Sequence, residues 1–229
     1  MPYTYEFPRP ALTVDVVVFA LQREHLQVML VRRDMKTLPG AWALPGGWVR
    51  VDETLEDAAR RELQAETGLT DVFLEQLYTF GDLDRDRCER VVTVAYYALV
   101  NLTGQAVQAG SDTDDTAWFP IHEPPEMVFY HDGILNMAYE RLRGKVRYQP
   151  IGFELLPDKF SLGQLQHVYE VILDRKLDKR NFRKKVLSME FFVALNEIEK
   201  DVSHRAAQLY RFDKRKYERL AKKGFQFEI

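Results

Sequence analysis

In the stretch RELQAETGL, Glu62 and Glu66 stand four residues apart. On a helix that spacing puts both carboxylates on one face, a turn from each other. Paired carboxylates suit a hard cation such as Mg2+, and a cation so held can neutralise a diphosphate and activate water against it. Upstream, Gly46 and Gly47 in LPGGWV leave room for a phosphate to approach the backbone. Ala65 is the discordant residue. At i+3 from Glu62 it shares that face, and it offers a methyl group where a third acid would serve a metal. The choice lies between a hydrolase with a trimmed metal site and a pocket that binds without hydrolysing.

These residues need a scaffold, and the chain around them supplies one. LTVDVVVFAL and LQVMLVRR read as two β-branched strands around the polar turn QREH, a hairpin pattern. LPGAWALPGGWV reads as loop with a short strand. TLEDAARRELQAETG follows as a helix, capped by Thr54 with Asp57 three residues on and ended by Gly68. DVFLEQLYTFG, RVVTVAYYALV and DTAWFPI add strands, and HDGILNMAYERLRG a helix. Around KVRYQPIGFELLPDKF the periodicity loosens, which puts a domain boundary near residue 150.

Charge supports the division. Residues 1–150 carry 15 Lys and Arg against 23 Asp and Glu, whereas 151–229 carry 17 against 12. A basic segment behind an acidic one fits a polyanion-binding module beside a domain with another task. Its helices are legible. Ser161 and Gln164 form a capping box before SLGQLQHVYEVIL, in which Leu165, Val168, Tyr169 and Ile172 make one apolar stripe. Asp178 can cap DKRNFRKKVLSM, where Phe182, Val186 and Met189 point inward and leave Arg180, Asn181, Arg183 and Lys184 more outward, with Lys185 beside them. FFVAL and AQLYRF then read as strands joined by a polar loop. Helix, turn, basic helix and hairpin make a winged helix-turn-helix plan, whose second helix enters a DNA major groove.

From Gly47 the chain runs Gly, five residues, Glu53, seven residues, Arg61, Glu62, Leu63, two residues, Glu66, Thr67, Gly68, Leu69. This closely resembles the Nudix box, matching every specified position except Ala65. The resemblance implies Glu62 and Glu66 as metal-facing acids, Glu62 as the residual catalytic group, and an Arg61–Glu53 pair that orients the loop. With the later motifs FSLGQLQHVYEVIL, RNFRKKV and AAQLYRF, nearly the whole chain resembles the Nudix-related transcriptional regulators (NrtR).

That resemblance implies an α+β protein: an N-terminal Nudix α/β/α sandwich with a mixed sheet over residues 1–150, then a small winged helix-turn-helix over 151–229. It implies a bacterial homodimeric repressor of NAD-biosynthesis or pentose-utilisation genes, released from a palindromic operator by ADP-ribose or a related ligand. Mg2+ is the expected cofactor if any is used, since two acids can still hold one ion. The rival reading is a Nudix pyrophosphohydrolase of ADP-ribose or a nucleotide sugar. The wing retains Arg205 from the family's Gly-Arg-Pro trio.

Further ligand candidates are Arg33, Trp42, Arg85 and Arg87, since arginine suits phosphate and tryptophan can stack. The histidines lack metal-ligand spacing. Cys88 is the single cysteine, so no intramolecular disulfide can form. With no signal-like N-terminus or membrane-length apolar run, the expected location is the cytoplasm, at the nucleoid when DNA-bound.

Overall fold

The structure, a computed structural model, describes residues 5–22, 24–35, 38–86, 89–103, 115–200 and 205–229. Strand β1 (Ala11–Gln22) carries Val16, Val17, Val18 and Phe19, all wholly buried. A strand covered on both faces shows a continuous apolar run in place of alternation, which is why VVVFA has no polar partner residues. β1 lies within a mixed sheet. On one side are β2 (His25–Met35) and β3 (Leu38–Ala43), on the other β6 (Val91–Val100) and β5 (Phe73–Phe80). β4 (Gly46–Trp48) pairs with β1, and β7 (Asp115–Pro120) with β2. β1 and β6 run parallel, Ala11 opposite Val91, while the β1–β4, β2–β3, β2–β7 and β5–β6 pairs are antiparallel.

LPGAWALPGGWV contains two short strands, β3 and β4, in place of the single one expected. Their partners are distant in sequence (Ala43 opposite Val31, Gly47 opposite Val14), so local composition does not reveal them.

Helix α1 (Leu55–Thr67) has the expected ends. Thr54 accepts from the Asp57 amide, and Gly68 closes the helix at φ 73°, a left-handed conformation natural to glycine. Such an N-cap contributes about 1 kcal/mol. Ala58, Ala59 and Leu63 bury one face of α1, and Glu66 lies on that same buried face. Helix α2 (His131–Lys145) follows β7. Backbone contacts group Met1–Ala20, Gln27–Val100 and Gly104–Ala138 in one unit, and Leu21–Leu26, Asn101–Thr103 and Tyr139–Ile229 in the other.

In the second unit a 3-10 turn (Ile151–Leu155) precedes β8 (Phe160–Ser161), α3 (Leu162–Leu173), α4 (Lys179–Leu187), β9 (Phe192–Ile198) and β10 (Gln208–Phe212). The strands form an antiparallel sheet in the order β8-β10-β9. The Ser161–Gln164 capping box opens α3, and the predicted stripe Leu165, Val168, Tyr169, Ile172 is fully buried. Asp178 caps α4 by accepting from the Asn181 amide, and Phe182, Val186 and Met189 are buried. The sequence pattern ends at AQLYRF, but the chain continues into another helix, α5 (Lys214–Ala221). Among the described residues no helix is long and apolar enough to cross a membrane.

Candidate functional site

Burying Glu66 on α1 demands a partner, because an unpaired buried carboxylate is costly. Arg33, at the end of β2, supplies one. Its guanidinium pairs with both Glu66 oxygens, Nη2 lying 3.2 Å from Oε2, and Nη2 also donates to the Gly46 carbonyl at 2.6 Å. The Gly46 amide donates in turn to Glu66 Oε2 at 2.9 Å. Carboxylate, guanidinium and the backbone N–H and C=O of Gly46 therefore close on each other. Burial pushes the Glu66 carboxyl up to about 7, against the lowering pull of Arg33 and the Gly46 amide.

Glu62 lies one turn back along α1 and pairs with Arg61. It sits close to Gly47: a Cβ there would come within 2.6 Å of the Glu62 carboxyl carbon, so a larger residue would have to turn the Glu62 side chain aside. Arg61 also grips Glu53, with Nη2–Oε1 at 2.6 Å and Nε–Oε2 at 2.8 Å, and donates to the Trp48 carbonyl at 3.0 Å. The Arg50 amide donates to Glu53 at 2.8 Å. These bonds, Arg61's foremost, hold the Glu53 carboxyl down to about 2. The Arg61–Glu53 pair thus clamps the segment after the glycines onto α1.

Whether Mg2+ fits this donor set is decided by what the acids already hold. Glu66 engages both oxygens with Arg33 and Gly46, Glu62 faces Arg61, and residue 65 brings no oxygen. Among the described residues, no group of three or more His, Cys, Asp or Glu is placed to hold a metal. The residues do not fit the ion as they stand.

Arg85, one of the ligand candidates, stands in an interior ion pair. It is buried, with Nη2 3.2 Å from Asp15 Oδ2 and 3.3 Å from the Phe129 carbonyl. Asp15, from the middle of β1, also faces His131 Nε2 at 3.5 Å, and the Leu44 amide donates to His131 Nδ1 at 2.9 Å. Burial alone would raise the Asp15 carboxyl, but His131 and Arg85 bring it down to about 2. Phe129 and Tyr130 just before His131 are both left-handed, φ 60° and 61°, a strained conformation for such side chains. The cluster fixes Leu44 two residues before the glycines. Asp15 and His131 escape the sequence reading, although one signal was available: a lone acid inside an otherwise apolar buried strand must have a partner.

Trp42 on β3 is half-buried, edge-on to Phe119 with centroids 4.9 Å apart. Arg87, like Cys88, lies outside the described residues. Arg33, Gly46, Gly47, Glu53, Arg61, Glu62 and Glu66 come together; Arg85 joins them indirectly, through Asp15 and the loop.

In the second unit, Arg180, Asn181, Lys184 and Lys185 are exposed on α4. Arg183 is half-buried, with its Nε enclosed and lacking a hydrogen-bond partner among the described residues, because its position turns toward the Val186 side of the helix. Lys185 lies 3.8 Å from Glu228. Arg205, beyond the wing's undescribed segment, is exposed.

A glycine loop clamped to a carboxylate-bearing helix, with a winged helix after it, defines a Nudix domain joined to a DNA-binding module. Comparison agrees. The NUDIX domain model matches residues 10–136, and the NrtR DNA-binding winged helix domain model matches residues 152–212. The ADPR responsive transcriptional repressor NtrR of Acinetobacter baylyi is 33% identical over 217 residues, covering 93% of this chain and 86% of the relative. Shewanella oneidensis NrtR crystallised with a 27mer DNA superposes with a TM-score of 0.80 at 31% identity, covering 94% of this chain and 97% of that one. The NUDIX domain of the same protein with ADP ribose gives 0.54 at 36%, covering 59% and 90%. The chain belongs to the NrtR family.

Proposed function

We propose that this protein is a bacterial transcriptional repressor that releases its operator when ADP-ribose, or a closely related nucleotide, occupies the pocket of the glycine loop and α1. Residues 1–150 serve as the sensor and 151–229 as the DNA-binding part. The observation that carries the reading is the closed Arg33–Glu66–Gly46 set beside Ala65. It keeps the box's loop geometry, which suits an anionic ligand, while its acids are committed to arginines. The Acinetobacter relative's responsiveness to ADPR and the Shewanella structures with DNA and ADP ribose support the choice of ligand and partner. A homodimer in the cytoplasm, acting on NAD or pentose genes through a palindrome, completes the proposal. Two winged helices must then sit one DNA turn, about 34 Å, or a multiple apart. Gel-shift titration of the upstream region of its own operon, with and without ADP-ribose, tests it directly.

Hydrolysis follows as a measurable contrast. ADP-ribose turnover with Mg2+ should fall well below about 1 per second, the low end of ordinary enzyme rates, and ADP-ribose binding should be the same in Mg2+ and in EDTA. Ala65→Glu adds the missing acid and should raise the residual rate. Wild-type turnover at ordinary rates would return the protein to the pyrophosphohydrolases.

For α4, replacing Arg180 or Asn181 by Ala should weaken operator binding by about 1–3 kcal/mol and relax sequence preference, because the first turn of a recognition helix meets base edges. Lys185→Ala should weaken all duplexes alike if it meets phosphate. Unchanged affinity in every variant would displace α4 from the groove.

A further inference from the structure

Beyond residue 212, where the winged helix domain model stops, α5 carries the sequence KRKYERLA, and KKG follows it. Its two large apolar side chains, Tyr217 and Leu220, share one face at i and i+3. Tyr217 packs edge-on to Phe191 with centroids 5.3 Å apart and tilts against Phe212 at 5.9 Å. At 100° per residue, Arg215 and Arg219 fall on the opposite side of the helix, and Lys222, its C-cap with helical backbone angles, continues that side. All three are exposed, and none makes an ion pair among the described residues. Lys216, between the two faces, pairs with Glu190 at 3.2 Å.

The helix is held firmly. Asp213 caps it by accepting from the Lys216 amide at 2.9 Å, and its own amide donates to the Phe191 carbonyl at 2.8 Å. Downstream, Phe225 and Phe227 pack on Phe191, Phe227 also lies against Tyr169 of α3, and the Ile229 amide donates to the Arg147 carbonyl at 3.1 Å. Phe191 stands between α4 and β9, so α5 is tied to the chain leaving the helix assigned to the groove.

We propose that the Arg215–Arg219–Lys222 stripe of α5 is a second DNA-contacting surface, one that grips backbone phosphates without reading sequence. This rests on the DNA-binding reading of the second unit and extends it beyond α4 and the wing. Three exposed cations on one face of a packed helix end, none in an ion pair among the described residues, supply the positive charge that phosphate contact needs. A membrane-surface helix would require a free apolar face, and Tyr217 on the apolar face of α5 is already packed on Phe191 and Phe212.

Phosphate contacts displace counterions, so log K falls with log salt by about 0.9 per contact on duplex DNA. The full-length protein is titrated against its operator and an unrelated duplex of equal length, between about 50 and 200 mM salt, where such contacts show most strongly. The triple variant Arg215→Gln, Arg219→Gln, Lys222→Gln should flatten the slope by about 2–3 on both duplexes and weaken both by the same factor, with an unchanged thermal melt. Glu218→Lys, which adds charge beside the stripe without touching the packed face, should steepen the slope by about 1. It keeps the test decisive if the triple variant does not fold.

Unaltered slopes in folded variants, or a loss confined to the operator, would overturn the proposal. So would stripe-dependent cosedimentation with phosphatidylserine vesicles accompanied by no change in DNA slope. Failure of the wild type to bind either duplex is a different result, since it removes the DNA-binding reading itself.

Discussion

Replacing Asp15 by asparagine should lower the free energy of unfolding by about 3–5 kcal/mol, because it leaves Arg85 buried without its counter-charge. A neutral amide also faces His131 less favourably, and the Leu44 anchor before the glycine loop loosens with it. The effect carries a pH signature. The Asp15 carboxyl is held at about 2 in the folded chain against an ordinary 3.8. A carboxyl lowered by folding contributes stability that is complete above its unfolded value and lost as pH falls through its folded one. Wild type should therefore lose about 2 kcal/mol from this group between pH 4 and pH 2, a loss the variant does not show. Urea titrations at pH 7 and across the acid range measure both quantities. A destabilisation below about 1 kcal/mol at pH 7 would mean the cluster is solvated and its charges uncoupled.

ADP-ribose should weaken operator binding about 5- to 150-fold, a coupling of about 1–3 kcal/mol, and operator should weaken ADP-ribose binding by the same factor. Only a ligand that prefers the conformation unable to hold DNA can shift the balance, so the reciprocity is a strict check. Calorimetry in the presence and absence of duplex gives both sides of the cycle. Glu66→Gln asks whether pocket and switch coincide. It replaces the partner of Arg33 and of the Gly46 amide, far in sequence from α4, so it should change ligand affinity and leave ligand-free operator affinity as it was. Tight ADP-ribose binding with no effect on operator affinity would leave a pocket with no switch and would point to another effector.

Features set by neighbours in sequence were legible before any fold was known. Thr54, Gly68, the Ser161–Gln164 box and Asp178 are all caps, each defined within four residues, and each stands where its residue type requires. The Glu53–Arg61 pair was implied by the resemblance to the Nudix box, and the two side chains do meet. Arg33 against Glu66, and Asp15 against Arg85 and His131, join residues 33, 70 and 116 apart, and no local pattern encodes such meetings. β4 was hidden for the same reason, because its partner β1 lies a whole hairpin away. α5 escaped differently: a helix with only Tyr217 and Leu220 to bury carries too little apolar signal to stand out from a charged tail.

The parallel pairing of β1 with β6 also governs how the chain is made. Ala11 meets Val91 and Ala20 meets Val100, so the central ladder of the first unit closes only after most of that unit has left the ribosome. Loop-closure entropy must be met before those contacts return anything, and such non-local pairing is intrinsically slow. Until then the run from Val14 to Ala20, buried in the finished fold, is an exposed β-prone segment that can pair with another nascent chain. The caps of α3 and α4, by contrast, join residues within four positions and need no distant partner to close. The first unit, although its synthesis begins earliest, should thus reach its native sheet late, and its yield during expression should depend on chaperones and temperature.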